Sequence, residues 1–377
     1  MTRQMTITNI TTRILELPVQ AVHSHGSGDI TVVKTLILQI DTDAGITGFG
    51  EASPWSVFTG TAEANVAAIN VYYTPFLLGA DPLRAEHLLF LAEKEVVHCS
   101  EARAALETAL LDIKGKAFNC SLSDLIGGAC HEQIPLSFSV ANPNFDEDLE
   151  TVADLVSQGV RIFKLKTGFA EHTFDVMRLE RLRKIYGNDV DLRVDYNQGM
   201  QPFESIPRIR DLEPFSPTFV EQPVLAAERE AMAEITRATD CPIMADESVF
   251  NARDAVTMIG LRGANIFSLK IMKAGGIRRA QEVAATGRAA GIACYGGCMF
   301  ETGIAHAAGA HLMNSIPYLT LGCEFYMANF YLEEDILDRP FPVKDGKVVV
   351  PTGPGLGVEP DMDKIEKYTT SQSQWSV

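Results

Sequence analysis

The chain is short of basic residues, paired cysteines and long apolar runs. It has 32 Lys and Arg against 49 Asp and Glu, a net charge of −17. That balance argues against a nucleic-acid partner, because affinity for phosphates rests on basic side chains. It equally argues against docking on an anionic membrane surface. No stretch approaches the ~20 apolar residues of a membrane span. The opening MTRQMTITNI lacks the apolar core of a signal peptide. Seven cysteines, an odd number with no C-x-x-C pair, speak against a secreted disulfide framework and for a reducing compartment. The expectation is a cytoplasmic protein with no nucleic-acid or membrane partner.

What is present is an ordinary globular composition, with 377 residues, 46% hydrophobic and 21% charged. At ~100–200 residues per domain this predicts two or three domains. TITNITTRILELPV and VVKTLILQIDTDAGITGFGEA carry period-two apolar positions and read as strands. Asp43-Ala44-Gly45 reads as a hairpin turn within the second. Leu106, Ala109, Leu110, Ile113 and Ala117 fall on one face of a helix. Residues 1–130 therefore read as a small α+β domain.

From residue 134 the rhythm changes. Eight short runs read as strands: IPLSFSVAN, VRIFKLKTG, DLRVDYNQG, PTFVEQP, CPIMADES, ANIFSLKIMKAGG, IACYGG and LTLGCEF. Helix-like stretches separate them, among them 146–159, 171–186, 227–239, 276–290 and 302–314. Eight alternations favour a parallel (β/α)8-type barrel. A doubly wound sheet is the alternative, but no G-x-G-x-x-G follows the first strand. The turn-rich tail KVVVPTGPGLGVEPD is expected to return to the first domain.

In such a barrel, chemistry gathers at the C-terminal strand ends. Lys164 and Lys166 end the second run, and Asp195 and Asn197 the third. Glu221 ends the fourth, Asp246 and Glu247 the fifth. Lys270 ends the sixth and Glu324 the eighth. Asp195 to Glu221 is 26 residues, Glu221 to Asp246 is 25 and Asp246 to Lys270 is 24. One strand–helix unit recurs each time, so these groups come round to one rim. Three carboxylates without His or Cys suit one Mg²⁺, or Mn²⁺, rather than zinc. Taken singly, such acids read as helix N-caps. Lys164 and Lys166 share one side of their strand. At the mouth, partial desolvation and a nearby cation would lower a lysine pKa toward that of a base. Solvated, outward lysines are the plain alternative. A metal, a base and a facing acid are what removal of a proton α to a carboxylate needs, since the enediolate must be stabilised.

These residues resemble the enolase superfamily, and within it the muconate-lactonizing subgroup. The likeness runs through DTDAGITGFGEA, ALETALLDIKGKAFNCSLSDLIGG, KLKTG, RVDYN, EQP, ADES, LKIMKAGG, GGCMFETGIAHAAGAHL and LGCEF, in order. It implies an α/β fold: a (β/α)7β TIM-type barrel over 131–335, an α+β capping domain over 1–130, and a segment 336–377 that completes the cap. It implies Asp195, Glu221 and Asp246 as ligands of one metal ion per subunit. Lys166 and Lys270 would be the acid/base pair, with Lys164 on the substrate carboxylate and Asn197 and Glu247 in support. Homo-oligomers are common in the family, and the implied partner is a small carboxylate.

Specificity would come from cap loops at 19–29 and 53–61 and from the eighth strand end. Candidates there are His23, His25, Trp55, Phe58, Cys298 and Glu324. Phe325 and Tyr326 could add to an aromatic wall, and Glu324 could hold an amine. Packing between cap and barrel is the plain reading of the aromatics. The first loop lacks the usual cationic residue, and the seventh strand end lacks the His of mandelate racemase-like members. His306 lies in a later helical stretch and reads as structural. The expected reaction is a muconate-type cycloisomerisation. The alternatives are racemisation or epimerisation of an amino or imino acid, dehydration of a hydroxyproline-like acid, and, remotely, a non-catalytic metal-binding protein.

Overall fold

A computed structural model describes residues 5–25 and 28–377. The chain opens with an antiparallel sheet of β1 (Ile7–His25), β2 (Gly28–Thr42) and β3 (Thr47–Ala52). The final strand, Thr369–Ser376, pairs with the free edge of β1. Helix α1 (Ser100–Phe118) covers this sheet. Successive strand residues face opposite sides. Leu36, Leu38 and Ile40 accordingly pack with Leu106, Leu110 and Ile113 of α1. Ile37, one residue out of phase, joins the barrel core instead. The sheet is thus buried on both faces, which explains its unbroken apolar run.

The parallel strands follow as β4 (Ser137–Val140), β5 (Ile162–Lys166), β6 (Asp191–Asp195), β7 (Val220–Glu221), β8 (Ile243–Ala245), β9 (Ile266–Leu269) and β10 (Ala293–Gly296). They pair in sequence order. Helices at 145–157, 172–186, 202–212, 229–238, 252–261 and 277–289 separate them, and α2 (Gly303–Asn314) follows β10. The eighth run is not an extended strand. It shrinks to Cys323, which bridges Leu136 on one side and Gly296 on the other. Four backbone bonds hold it: Cys323 N to Pro135 O, Ser137 N to Cys323 O, Gly296 N to Gly322 O and Glu324 N to Gly296 O. Gly322 adopts a left-handed φ of 75°, and Tyr326 N turns back onto Glu324 O, so the run ends at once. One residue suffices to close the ring.

The tail returns to α1. Leu356 N donates to Asp112 Oδ1 at 2.9 Å and Leu122 N to Gly355 O at 2.8 Å. The expected cap loop at 19–29 is a correction. β1 and β2 extend into it as a paired hairpin, with His23 opposite Ile30 and His25 opposite Gly28. Gly26 and Ser27 lie outside the described residues. Ser24 N bonds Ala141 O and Gln20 N bonds Tyr331 O, so backbone pairing ties the hairpin to the barrel mouth. The 53–61 stretch is a turn.

Candidate active site

The acids stand where the strands end. Asp195 closes β6 and Glu221 closes β7, directly paired in register. Asp246 follows β8 by one residue. Lys166 closes β5 opposite Asp195, and Lys270 follows β9 by one residue. All three carboxylates are buried.

Lysines meet each acid. Lys164 Nζ lies 2.6 Å from Glu221 Oε2 and 3.2 Å from Asp195 Oδ2, and it also contacts Glu324 Oε1. Lys166 Nζ donates to Asp195 Oδ2 at 2.6 Å and to Asn197 Oδ1 at 3.0 Å. Lys270 Nζ donates to Asp246 Oδ2 at 2.6 Å. Lys273, which the sequence reading passed over, donates to Asp246 Oδ1, Asp246 O and Ser268 O. Its place one helical turn after Lys270 was the available signal. Asn197 Nδ2 donates to Glu247 Oε1 at 3.3 Å. Gln222 was also missed as a brace. Its Oε1 accepts from the backbone N–H of Asp246 and Ser248. Asn197 and Gln222 hold positive φ, of 43° and 34°, strain of the kind found at functional sites.

Burial alone would raise the Asp195 carboxyl, but Lys166 and Lys164 hold it well below the usual range. Burial likewise acts on Asp246, and Lys270 and Lys273 overcome it. Glu221 is raised, first by burial and then by Asp195 beside it. For Lys270, without a metal cation beside it, two effects oppose each other. Burial does lower it, but Asp246 and Glu221 outweigh burial and raise it. Glu324 lines the cavity with one carboxyl oxygen already facing Lys164.

These groups suit a divalent cation. Glu221 Oε1 and Glu247 Oε2 are buried without a hydrogen-bond partner. The one ammonium of Lys164 is shared among three carboxylates. Buried negative charge left undercompensated is costly. Oxygen-only donors on adjacent strands favour Mg²⁺ or Mn²⁺.

A cavity of about 20 Å³ joins Lys166, Lys270, Asn197, Cys298 and Glu324 to His23, His25 and Trp55 of the cap. Phe58 stays outside its lining, but Lys270 Nζ lies 5.3 Å over that ring. Trp55 packs edge-on to Phe300 and His25, and His23 to Phe300 and Tyr331. Phe300 and Tyr331 were not foreseen, and no local pattern marks them. Tyr326 lines the cavity, whereas Phe325 packs behind it against His306. Burial, then Lys166, lowers His23 well below its ordinary range and His25 to about 4. Both histidines are neutral at pH 7.

Comparison with known proteins agrees with this geometry. Residues 7–127 match the mandelate racemase / muconate lactonizing enzyme N-terminal domain, and residues 147–364 match the enolase C-terminal domain-like family. Muconate cycloisomerase 1-1 of Acinetobacter lwoffii is 32% identical over 372 residues, 97% of each chain. The N-succinyl Arg/Lys racemase structure from Bacillus cereus superposes with a TM-score of 0.93 at 30% identity, covering 98% of this chain and 100% of that one. A muconate cycloisomerase structure from Azorhizobium caulinodans is 40% identical with a TM-score of 0.85, covering 97% and 99%. The chain belongs to the mandelate racemase/muconate lactonizing enzyme family of the enolase superfamily, and it is an isomerase of that superfamily.

Proposed function

We propose that this enzyme moves a proton off or onto the carbon α to a carboxylate through an enediolate, and that in a muconate-type cycloisomerisation one carboxylate adds across the alkene and the enediolate so formed takes its proton from the lysine. One observation carries the reading: Lys166 and Lys270 line the same cavity from separate strands, with the three-acid rim beside them. Asp195, Glu221 and Asp246 would hold one Mg²⁺ or Mn²⁺ per subunit. The bound cation would supply positive charge for the enediolate oxygens and draw the carboxylates' charge away from the lysines. Lys166, positioned by Asp195 and Asn197, would handle the proton. Lys270 would stabilise charge on the other face. Lys164 would meet the substrate carboxylate, and the cap aromatics would exclude water.

A lactonizing substrate carries a second carboxylate. Among the described residues, the cap side of the cavity is lined by His23, His25 and Trp55, with no Lys or Arg. His23 Nε2 is buried on the cavity wall without a hydrogen-bond partner, and the Tyr326 hydroxyl, which meets the Ser139 side chain, lines the same cavity. They support a neutral, hydrogen-bonding anchor. It would leave that carboxylate more nucleophilic than an ion pair would.

A second reading, racemisation of an N-acyl amino acid, is favoured by the B. cereus neighbour and by the two lysines. NMR in D₂O with Mg²⁺ separates the readings. Muconate should give a lactone. Deuterium entering Cα of N-acyl amino acids, with muconate turned over only in trace amounts, would replace the first reading by the second.

A further inference from the structure

Behind the cavity wall lies a second group of ligands. Cys298, Glu301 and His306 bring a thiol, a carboxyl and an imidazole together, with ligand atoms all within 4.8 Å of one another. All three residues are buried, His306 completely. Neither ring nitrogen of His306 has a hydrogen-bond partner, and neither does Glu301 Oε1. Phe325 and Phe341 flank the imidazole at 5.5 and 5.3 Å and offer it no polar contact. A structural histidine would normally have at least one buried nitrogen satisfied. One orphaned imidazole nitrogen, one carboxyl oxygen and a thiol sulfur, one donor atom from each residue, come together at a spot that suits a group accepting lone pairs.

The donor set says which ion. Sulfur and imidazole favour Zn²⁺ and its neighbours over Mg²⁺, which takes oxygen. Charge agrees. The thiol and the carboxyl would each lose one proton to solvent while one Zn²⁺ enters, so the buried site stays neutral overall. Burial and neighbouring Glu51 push Glu301 up to about 8, so that proton is there to be displaced. Zn–ligand bonds of ~2.0–2.3 Å require the donors to draw in to roughly 3.5 Å from one another. Side-chain rotation covers that difference.

We propose that Cys298, Glu301 and His306 form a site for a zinc-like divalent ion, separate from the Asp195–Glu221–Asp246 rim. The site adjoins the chemistry. Cys298 lines the catalytic cavity, and its Sγ donates to the Glu324 carbonyl at 3.2 Å. Binding removes that thiol proton and with it this bond, so occupancy should alter turnover.

The test uses the full-length enzyme, freed of transition metals and kept in saturating Mg²⁺, titrated with Co²⁺. One equivalent should bind with a thiolate-to-cobalt charge-transfer band. Zn²⁺ should displace it. The band should vanish in Cys298→Ser, and affinity should fall at least tenfold in His306→Gln. Glu301→Gln serves if the histidine variant does not fold, and Mg²⁺ binding and Tm check each variant. Asp195, Glu221 and Asp246 themselves offer only oxygen. Cobalt binding without a thiolate band, or a band that survives Cys298→Ser, would overturn the proposal.

Discussion

Two buried lysines share Asp246, and they should behave differently. Lys270 makes one bond to Asp246 and faces the cavity. Lys273 makes three bonds that tie Asp246 to β9. Loss of a general acid/base typically costs ~10²–10⁴-fold in rate. Lys166→Ala should lose turnover by that order and Lys270→Ala, which removes charge stabilisation, by ~10²–10³-fold, with Tm moved by only a few degrees. Steady-state rates and thermal scans on the same samples check this. If Lys166→Ala turns over normally, that lysine is not the base. Lys273→Met should instead lose about 3–5 kcal/mol of stability, the usual effect of stripping one partner from a buried ion pair. Urea unfolding in saturating Mg²⁺ measures it. An unchanged midpoint would mean that Lys273 does not hold Asp246.

The acids and Lys270 were legible because the strand–helix unit repeats and strand ends are local features. For Lys273 the only local sign was its place one turn after Lys270, and the contact with Asp246 itself comes only from the placement of β8 beside β9. Glu324 was legible as a site residue but not as the partner of Lys164, since the two meet only when the barrel closes.

At the scale of elements, β3 lies against α1 backbone to backbone. A Cβ added at Gly50 would fall 1.9 Å from Ala105 O, and one at Gly48 would fall 2.3 Å from Ala109 O. Neither contact can yield by turning a side chain. Overpacking a core costs roughly 1–3 kcal/mol, and Gly50→Ala should reach or exceed the top of that range. Equilibrium unfolding tests it, and a loss below 0.5 kcal/mol (about the noise of surface changes) would show that α1 can slide away. Between these glycines and the barrel sits Glu51. Its carboxylate accepts from Thr302 N, Thr302 Oγ1 and Ala305 N, capping α2 from the neighbouring sheet. The hairpin formed by β1 and β2 shows the limit of local reading. Its VQAVHSHGSGD stretch ends in turn-forming Gly, Ser and Asp, yet backbone bonds from Gln20 to Tyr331 and from Ser24 to Ala141 keep the part before them extended.

Across the whole molecule, many carboxyls are buried in an acidic chain. Burial pushes Glu51, Glu101, Glu107 and Asp148 each up to about 7. A folded-state pKa above the unfolded one means the folded chain holds its proton more tightly. The stability from these groups is full below their ordinary range and is lost as pH rises through 7. Asp195 and Asp246 have the opposite sign, but their contribution fades only below the ordinary carboxylate range. Burial lowers His23, His25, His306 and His311, so their contribution rises with pH until it is complete near 6.5. Tm at saturating Mg²⁺ should therefore fall between about pH 6.5 and 8, where only the acids still titrate. A Tm that rises across that interval would contradict the burial of the four acids.

The sequence by itself determined the alternation of strands and helices, the acid at each strand end and the pairing of Lys164 with Lys166 on one face. These depend on residues within one unit, where periodicity and chain direction dictate geometry. Tertiary structure alone decided which ammonium meets which carboxylate, that one residue at Cys323 closes the ring, and that His306 lies beside Cys298 and Glu301 without a partner. Those outcomes depend on elements far apart in the chain. Burial and Coulomb interactions act between them only after the barrel and its cap have packed.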